Sequence, residues 1–322
     1  MAEKEVVGNQ LQIYFSFSYP PTFMLILAPF AYLSYQSAFL IWIALTLSFY
    51  LFMISKIAKW KEAILLALAF PAVFWTIEHG QNALLTTGLL AGGLYYLERK
   101  PLLSGMLIGL LTFKPHLGIL IPFALLAGGH WRVFIAAAIT TIVLAAISWL
   151  VFGTDVWIAF FQSMAETNST LNEGRVPFFK MQSLYAGLRN AGVSIEISYI
   201  IHTIFALFTA ASVIWIWLKD VDQRIKKASL CVGTVLMSPF MLSYDLTLLA
   251  VAIAYLADYS IKKNFQAALI NLLCIIWASP FIITILSMYI KLPWIPVLLS
   301  IFLYQMIILS LQQNQADIKL ND

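Results

Sequence analysis

Eight residues stand out because they interrupt long apolar stretches and carry groups that can move protons or bind anions. They are Glu78, His79, Gln81, Asn82, Lys114, His116, Tyr244 and Asp245. Carboxylates and imidazoles can accept a proton from a hydroxyl group, and an ammonium group is a compact donor to phosphate oxygens. Polar groups at membrane depth cost free energy unless they serve a site or face water. These residues therefore predict a polar site in an otherwise apolar protein.

Five of the candidates also have a structural interpretation that the sequence leaves open. Lys114 could extend its ammonium group to the lipid headgroups, and Asp245 could cap the start of a helix. Glu78 and His79 could be solvated turn residues, and His116, which follows a proline, could be structural.

Composition places the chain in the membrane. The 322 residues are 61% hydrophobic and 11% charged, and the mean hydropathy is +0.88, whereas soluble domains are about half apolar and a quarter charged. The sequence contains no phosphate-loop or dinucleotide fingerprint and no zinc-ligand spacing, and its two cysteines lie in apolar runs. We therefore predict an all-α, polytopic transmembrane helical bundle with no cofactor, no metal and no nucleic-acid partner.

Apolar runs predict about eleven membrane spans, together with an interfacial helix near the N-terminus at residues 22–33, which is too short to cross. The predicted spans are 37–55, 62–77, 82–97, 101–114, 117–128, 131–152, 196–218, 227–242, 245–260, 265–286 and 292–311.

The chain is predicted to form one integral-membrane domain, 1–322. Its predicted parts are an external loop remnant with the interfacial helix (1–36), a first helical block containing the GQN and KP turns (37–152), an external loop (153–195), a second helical block (196–311) and a cytoplasmic tail (312–322).

The basic residues predict the orientation of this bundle. Of the 19 Lys and Arg residues, 13 fall in loops at one set of helix ends and 6 at the other. The positive-inside rule places the first set in the cytoplasm. Residues 78–82 and 114–116 then lie on the external face of a bacterial inner (plasma) membrane.

Four segments carry a resemblance to a known family: YPPTFMLILAPFAYLSYQSAFLIW (19–42), HGQNALL (79–85), ERKPLLSGMLIGLLTFKPHLGILIPFALLAGGHWR (98–132) and SPFMLSYD (238–245). Together they resemble the GT-C membrane glycosyltransferases, and in particular the polyprenyl-phosphate-mannose-dependent family 87, formerly a domain of unknown function. The resemblance covers roughly residues 19–250.

This resemblance implies an inverting hexosyltransferase that moves a mannose-like sugar from a polyprenyl-phosphate donor to a lipid or glycan acceptor on the external face. In that scheme Lys114 neutralises the donor phosphate as it leaves. His79, Gln81, Asn82, His116 and Tyr244 bind substrate, and Asp245 orients a neighbouring group. Membrane lipids are the other expected partners.

The resemblance also implies an acidic general base early in the first external loop. Glu3 and Glu5 are the only carboxylates in that part of the chain, and neither has the expected context. We therefore expect the base to lie upstream of Met1 and the chain as given to be truncated or inactive, with Glu78 as the fallback base.

Two other classes of function remain open at this point. One is a secondary transporter with broken helices at the membrane midplane, although the polar residues cluster at one face and no repeat is visible. The other is a non-catalytic membrane protein that binds lipid.

Overall fold

The computed structural model describes residues 17–263 and 267–321. Within these ranges the fold is all-helical, and strand-like pairing is limited to an isolated antiparallel bridge between Met181 and Leu242. Glu3 and Glu5 lie outside the described residues.

The first half of the chain contributes nine α-helices within the described residues. They are α1 (Pro21–Leu27), α2 (Tyr35–Ile57), α3 (Ala63–Leu68), α4 (Pro71–Glu78), α5 (Ala83–Tyr96), α6 (Pro101–Gly109), α7 (Pro115–Gly118), α8 (Leu120–Ala127) and α9 (Trp131–Phe152).

The second half contributes seven more in the described ranges. They are α10 (Thr154–Asn172), α11 (Leu184–Asn190), α12 (Ile195–Leu218), α13 (Gln223–Met237), α14 (Leu249–Lys262), α15 (Ala267–Tyr289) and α16 (Trp294–Asn321). Short 3₁₀ turns occupy Ala28–Tyr32, Leu110–Phe113, Phe178–Lys180 and Ser243–Leu248.

Three helices form the centre of the bundle. Helix α13 is buried without interruption from Ile225 to Leu236, and α5 and α14 are also largely buried. Helices α2, α9 and α12 lie outside them and expose many large apolar side chains. An apolar outer surface is the arrangement expected where lipid tails replace water.

Within the described residues, five segments are long and apolar enough to cross a membrane. They are Tyr35–Ile57, Trp131–Phe152, Ile195–Leu218, Ser243–Lys262 and Trp294–Gln313. The prediction of about eleven spans is not confirmed, although five shorter apolar helices of 10–17 residues accompany these segments.

Proline divides one of the predicted spans. The predicted span 62–77 is divided into α3 and α4, with Pro71 at the first position of α4. Proline removes a backbone donor and clashes with the preceding turn, so it starts helices more readily than it continues them. Pro115 likewise starts α7 directly after Lys114.

Glycines allow α6 to approach its neighbours closely. A Cβ atom added at Gly105 would lie 2.6 Å from the backbone oxygen of Val133, and one at Gly109 would lie 2.7 Å from that of Ala137. Both contacts are with α9, and the G-x-x-x-G spacing suits close helix packing in membranes. Ser104 of α6 also donates a hydrogen bond of 2.6 Å to the Gly93 carbonyl of α5.

The segment predicted to be interfacial, 22–33, forms α1 and the 3₁₀ turn that follows it. Phe23 is buried and stacks on Phe113 with ring centroids 4.9 Å apart. This contact holds α1 beside the turn that carries Lys114. In the segment predicted to be an external loop, 153–195, α10 has no buried residue.

Candidate functional site

A buried ion pair lies at the centre of the candidate site. The Lys114 Nζ atom lies 2.5 Å from Asp245 Oδ1, and only 3% of each residue is exposed. At this burial water solvates neither charge, so each charge is compensated mainly by the other. The interpretation of Lys114 as a side chain that reaches the headgroups is therefore wrong.

The backbone places Lys114 inside the bundle because the helix breaks there. The 3₁₀ turn Leu110–Phe113 ends at Lys114, whose backbone leaves the helical region, with φ −126° and ψ 70°. The residue before a proline is pushed out of the helical region, and Pro115 supplies that constraint. The change of direction at Lys114 separates α6 from α7.

A second helix break positions Asp245. Helix α13 ends at Met237, two residues before Pro239, and the chain re-enters helical structure through the 3₁₀ turn Ser243–Leu248. Asp245 is the third residue of this turn, so it is not the helix N-cap. Its Oδ2 atom is 3.4 Å from the Leu242 N–H, which leaves Oδ1 directed at Lys114.

The third part of the site is the turn between α4 and α5. Gly80 has φ +60°, the Gly80 N–H donates to the Ile77 carbonyl, and the Gln81 N–H donates to the Thr76 carbonyl. This pair of bonds is a Schellman motif, which favours glycine because the left-handed conformation disfavours a Cβ atom. Gly80 therefore serves this turn.

Tyr19 connects this turn to the start of the described chain. Its hydroxyl group donates a hydrogen bond of 3.0 Å to Gln81 Oε1. Burial raises the pKa of Tyr19, with Lys114 acting in the opposite direction, so Tyr19 keeps its proton and lies within electrostatic range of the pair. Sequence reasoning used Tyr19 only as part of the family resemblance and missed this contact.

Three of the predicted side chains, those of Tyr244, His79 and His116, lie near the ion pair. The Lys114 Nζ atom lies 5.5 Å from the centroid of the Tyr244 ring, and the His79 ring centroid lies 6.2 Å from that same ring. His116 is close enough for both Lys114 and Asp245 to act on it electrostatically. The fold thus brings together residues from three separate parts of the sequence.

Asn82 and Glu78 differ in their surroundings. Asn82 is buried, and its Oδ1 atom has no hydrogen-bond partner among the described residues. A buried acceptor without a donor is costly, so a ligand hydroxyl would stabilise it. Glu78, the last residue of α4, is exposed, and within the described ranges it makes no hydrogen bond or ion pair with the other candidates.

Threonines that sequence reasoning did not select hold the Tyr244 backbone in place. Thr247 donates a hydrogen bond of 3.0 Å to the Tyr244 carbonyl, and Thr76 donates one of 3.3 Å to the same oxygen. Thr87 in turn donates to Thr247. Their signal in the sequence is weak because single threonines in apolar helices usually bond to their own backbone.

Residues 180–182, in the segment between α10 and α11, lie against one side of the site. The Gln182 backbone N–H donates to the Met241 carbonyl at 2.7 Å, and its side chain donates to Ser243 Oγ at 3.1 Å. Ser243 Oγ donates in turn to the Lys180 carbonyl. These bonds fasten residues 180–182 to the segment that precedes Asp245.

The arrangement can bind an anion and hydrogen-bond to hydroxyl groups. Lys114 supplies a positive charge in a water-poor environment, where charge–charge interactions are stronger than in bulk water. Gln81 and Asn82 supply amide groups that can both donate and accept. Among the described residues no group of three His, Cys, Asp or Glu side chains is placed to hold a metal ion.

Comparison with known proteins identifies the family of the chain. No curated protein and no solved structure matches the chain. The family model of glycosyltransferase family 87 matches residues 17–239, which include Tyr19, the GQN turn and Lys114 and end before Tyr244 and Asp245. The chain therefore belongs to glycosyltransferase family 87 and is a multi-pass membrane glycosyltransferase.

Proposed function

We propose that this protein transfers a mannose-like hexose from a polyprenyl-phosphate donor to a lipid or glycan acceptor. The reaction takes place at the external face of a bacterial inner membrane. The acceptor oxygen forms a bond to the anomeric carbon as the bond from that carbon to the phosphate oxygen breaks. The polyprenyl phosphate leaves with its negative charge.

The buried Lys114–Asp245 pair is the observation that carries this proposal. Replacing a buried ion pair by apolar groups of similar volume is often neutral or stabilising, so a buried pair is weak evidence for stability. We therefore attribute the Lys114–Asp245 pair to a ligand that needs the positive charge of Lys114. A donor phosphate beside Lys114 would be neutralised as it becomes the leaving group.

Asp245 has the role of a positioning residue in this proposal. It accepts one hydrogen bond from the Lys114 ammonium group, which leaves two further N–H groups for phosphate oxygens. Its carboxylate also compensates the buried positive charge of Lys114, which would be costly without a partner. The Tyr244 ring beside the ammonium group limits the directions from which the phosphate can approach.

The GQN turn is proposed to bind the sugar. Tyr19 fixes Gln81 by donating to its Oε1 atom, which leaves the Gln81 amide N–H groups for a ligand. The unpartnered Oδ1 atom of Asn82 is a suitable acceptor for a sugar hydroxyl.

Glu78 is proposed as the general base among the described residues. A base must approach the acceptor hydroxyl within hydrogen-bond distance, and Glu78 is exposed where an acceptor can reach it. His79, the next residue, packs against Tyr244, so Glu78 lies one residue from a side chain that contacts the site.

Orientation is inferred from the opposite ends of the helices. Lys56, Lys59, Arg99, Lys227 and Lys262 line one common cavity. Helix α5 carries the GQN turn at its other end, and its 14 residues correspond to about 21 Å. Since basic loops favour the cytoplasm, the candidate site is assigned to the external face.

The test is a transfer assay with purified protein in lipid nanodiscs. A polyprenyl-phosphate hexose with a labelled sugar is supplied together with a membrane lipid and glycan extract. Transfer of label to an acceptor with inversion at the anomeric carbon is expected. Label that stays on the polyprenyl phosphate with every hexose tried, although the donor binds, would exclude transfer and leave a lipid-binding role.

A further inference from the structure

A second polar cavity lies at the end of the bundle opposite the Lys114–Asp245 pair. Its volume is about 320 Å³, within the range of small-molecule sites in proteins. The ends of four helices meet around it, namely the C-terminal ends of α2, α5 and α14 and the N-terminal end of α13. It shares no lining residue with the candidate active site.

The charges that line this cavity do not balance. The lining contains six basic side chains and three carboxylates. The basic residues are Lys56, Lys59, Arg99, Arg224, Lys227 and Lys262, and the acidic residues are Glu98, Asp222 and Asp258. At neutral pH the cavity therefore carries an excess of positive charge.

All three carboxylates are already occupied by basic partners. Arg224 pairs with Asp222 at 2.5 Å and with Asp258 at 3.0 Å. Asp258 also pairs with Lys262 at 2.9 Å, and Glu98 pairs with the largely buried Lys227 at 3.3 Å. These pairs form a fixed lining rather than free anions.

Three cations are left over. Lys56, Lys59 and Arg99 make no ion pair with any carboxylate in the described ranges. Lys56 lies over the Phe52 ring, and Arg99 lies over the Tyr95 ring and donates to its hydroxyl. The excess positive charge is therefore concentrated on one part of the lining.

A neutral donor completes the site. Tyr255 is only 5% exposed and lines the cavity, and its hydroxyl group has no hydrogen-bond partner among the described residues. A buried hydroxyl without a partner costs free energy, and an anionic oxygen in the cavity would satisfy it. Lys227 lies 5.7 Å from the centroid of the same ring.

We propose that this cavity binds a phosphate-bearing anion through Lys56, Lys59, Arg99 and the Tyr255 hydroxyl. An anionic phospholipid headgroup and a soluble phosphate ester share this chemistry. A ligand here would bridge the ends of four helices, two of which, α5 and α14, lead to the candidate active site about 20 Å away. A bound ligand would therefore stabilise the helical bundle at the end opposite the proposed transferase site.

The thermal unfolding of the detergent-purified protein measures this binding. Three probes are titrated separately: short-chain phosphatidylglycerol, short-chain phosphatidylcholine and glycerol phosphate. The test variant is Lys56→Gln/Lys59→Gln/Arg99→Gln. Its control, Lys61→Gln/Arg132→Gln/Lys219→Gln, removes the same charge from basic residues outside the cavity.

A saturable rise in Tm with phosphatidylglycerol alone would identify a lipid headgroup as the ligand, and an equal rise with glycerol phosphate would identify a soluble phosphate. In either case the half-saturating concentration should increase about tenfold or more in the test variant, because charge-assisted hydrogen bonds are lost, and should stay unchanged in the control. Tyr255→Phe should weaken binding by several-fold. Equal responses of the two triple variants, an equal rise with phosphatidylcholine, or no saturable rise would overturn the proposal.

Discussion

Lys114 and Asp245 are 131 positions apart in the sequence, yet their charged side chains lie 2.5 Å apart and almost completely buried. Each is placed by a proline-linked break in a helix, at Pro115 for Lys114 and near Pro239 for Asp245. Two breaks that weaken regular structure thus meet at one point. The pair at that point is the central element of the proposed transferase site.

Removing one partner of this pair should destabilise the protein more than removing both. Asp245→Leu leaves Lys114 buried and uncompensated, and we expect a loss of about 3–5 kcal/mol in unfolding free energy. The double variant Lys114→Met/Asp245→Leu should recover most of that loss. Thermal unfolding in detergent measures both. A double variant that is as unstable as the single one would show that the pair is needed for folding.

Glu78→Gln tests the general-base assignment. If Glu78 accepts the proton of the acceptor hydroxyl, kcat should fall by about 10²–10⁴-fold, while the affinity for the donor stays the same. Glu166→Gln is the matched control, since Glu166 is another exposed carboxylate, on α10. Equal turnover of the Glu78 variant and the wild-type protein would remove Glu78 from the chemistry.

Tyr19→Phe tests whether the start of the chain organises the sugar site. The variant loses the hydrogen bond to Gln81 Oε1, so kcat/KM should fall about tenfold or less, which corresponds to about 0.5–1.5 kcal/mol. Tyr35→Phe, at an exposed tyrosine, should have no effect. In a double-mutant cycle with Gln81→Ala the two changes should be non-additive. Additive effects would show that Tyr19 acts independently of Gln81.

Because α6 lies close to α9, adding a single methyl group to α6 at this contact should lower the stability of the protein. Gly105→Ala would place a Cβ atom 2.4 Å from that of Ala136, and overpacking of this kind costs about 1–3 kcal/mol. Gly118→Ala meets nothing within 4 Å, so it should leave the Tm unchanged or raise it slightly. A neutral Gly105→Ala variant would mean that the two helices can separate at no cost.

Labelling of introduced cysteines in intact cells tests the orientation. In a Cys274→Ala background, a membrane-impermeant maleimide should label Glu166→Cys and should not label Lys59→Cys, because the latter position belongs to the basic end of the bundle. Cys231 is buried and should not react. Labelling at position 59 from outside would reverse the assignment of the two faces.

Much of this site could be predicted from the sequence because its residues are polar exceptions in apolar surroundings. Lys114, Asp245 and the GQN turn stood out for that reason, and the family resemblance rested on the same segments. Their direct pairing could not be predicted, because periodicity shows where a helix breaks and gives no information on which breaks meet. The contacts of Tyr19 and Gln182 were missed for a related reason, since both depend on how loops dock.

The number of spans was harder to predict than the class of fold. Hydropathy alone cannot distinguish a helix that crosses the bilayer from a short buried one. Helix α13 shows the difficulty, because its first turn carries Arg224 and Lys226, yet the helix is buried against other helices from Ile225 to Leu236. Burial by protein, rather than by lipid, explains why it is apolar.

Binding of the donor is the most direct test of the central claim. The affinity of the purified protein for a polyprenyl-phosphate hexose is measured in nanodiscs for the wild type and for Lys114→Met/Asp245→Leu. We predict that the double variant folds with a similar Tm and binds the donor at least about tenfold more weakly, which corresponds to about 1.4 kcal/mol. Unchanged affinity in a folded double variant would contradict the assignment of the donor phosphate to Lys114.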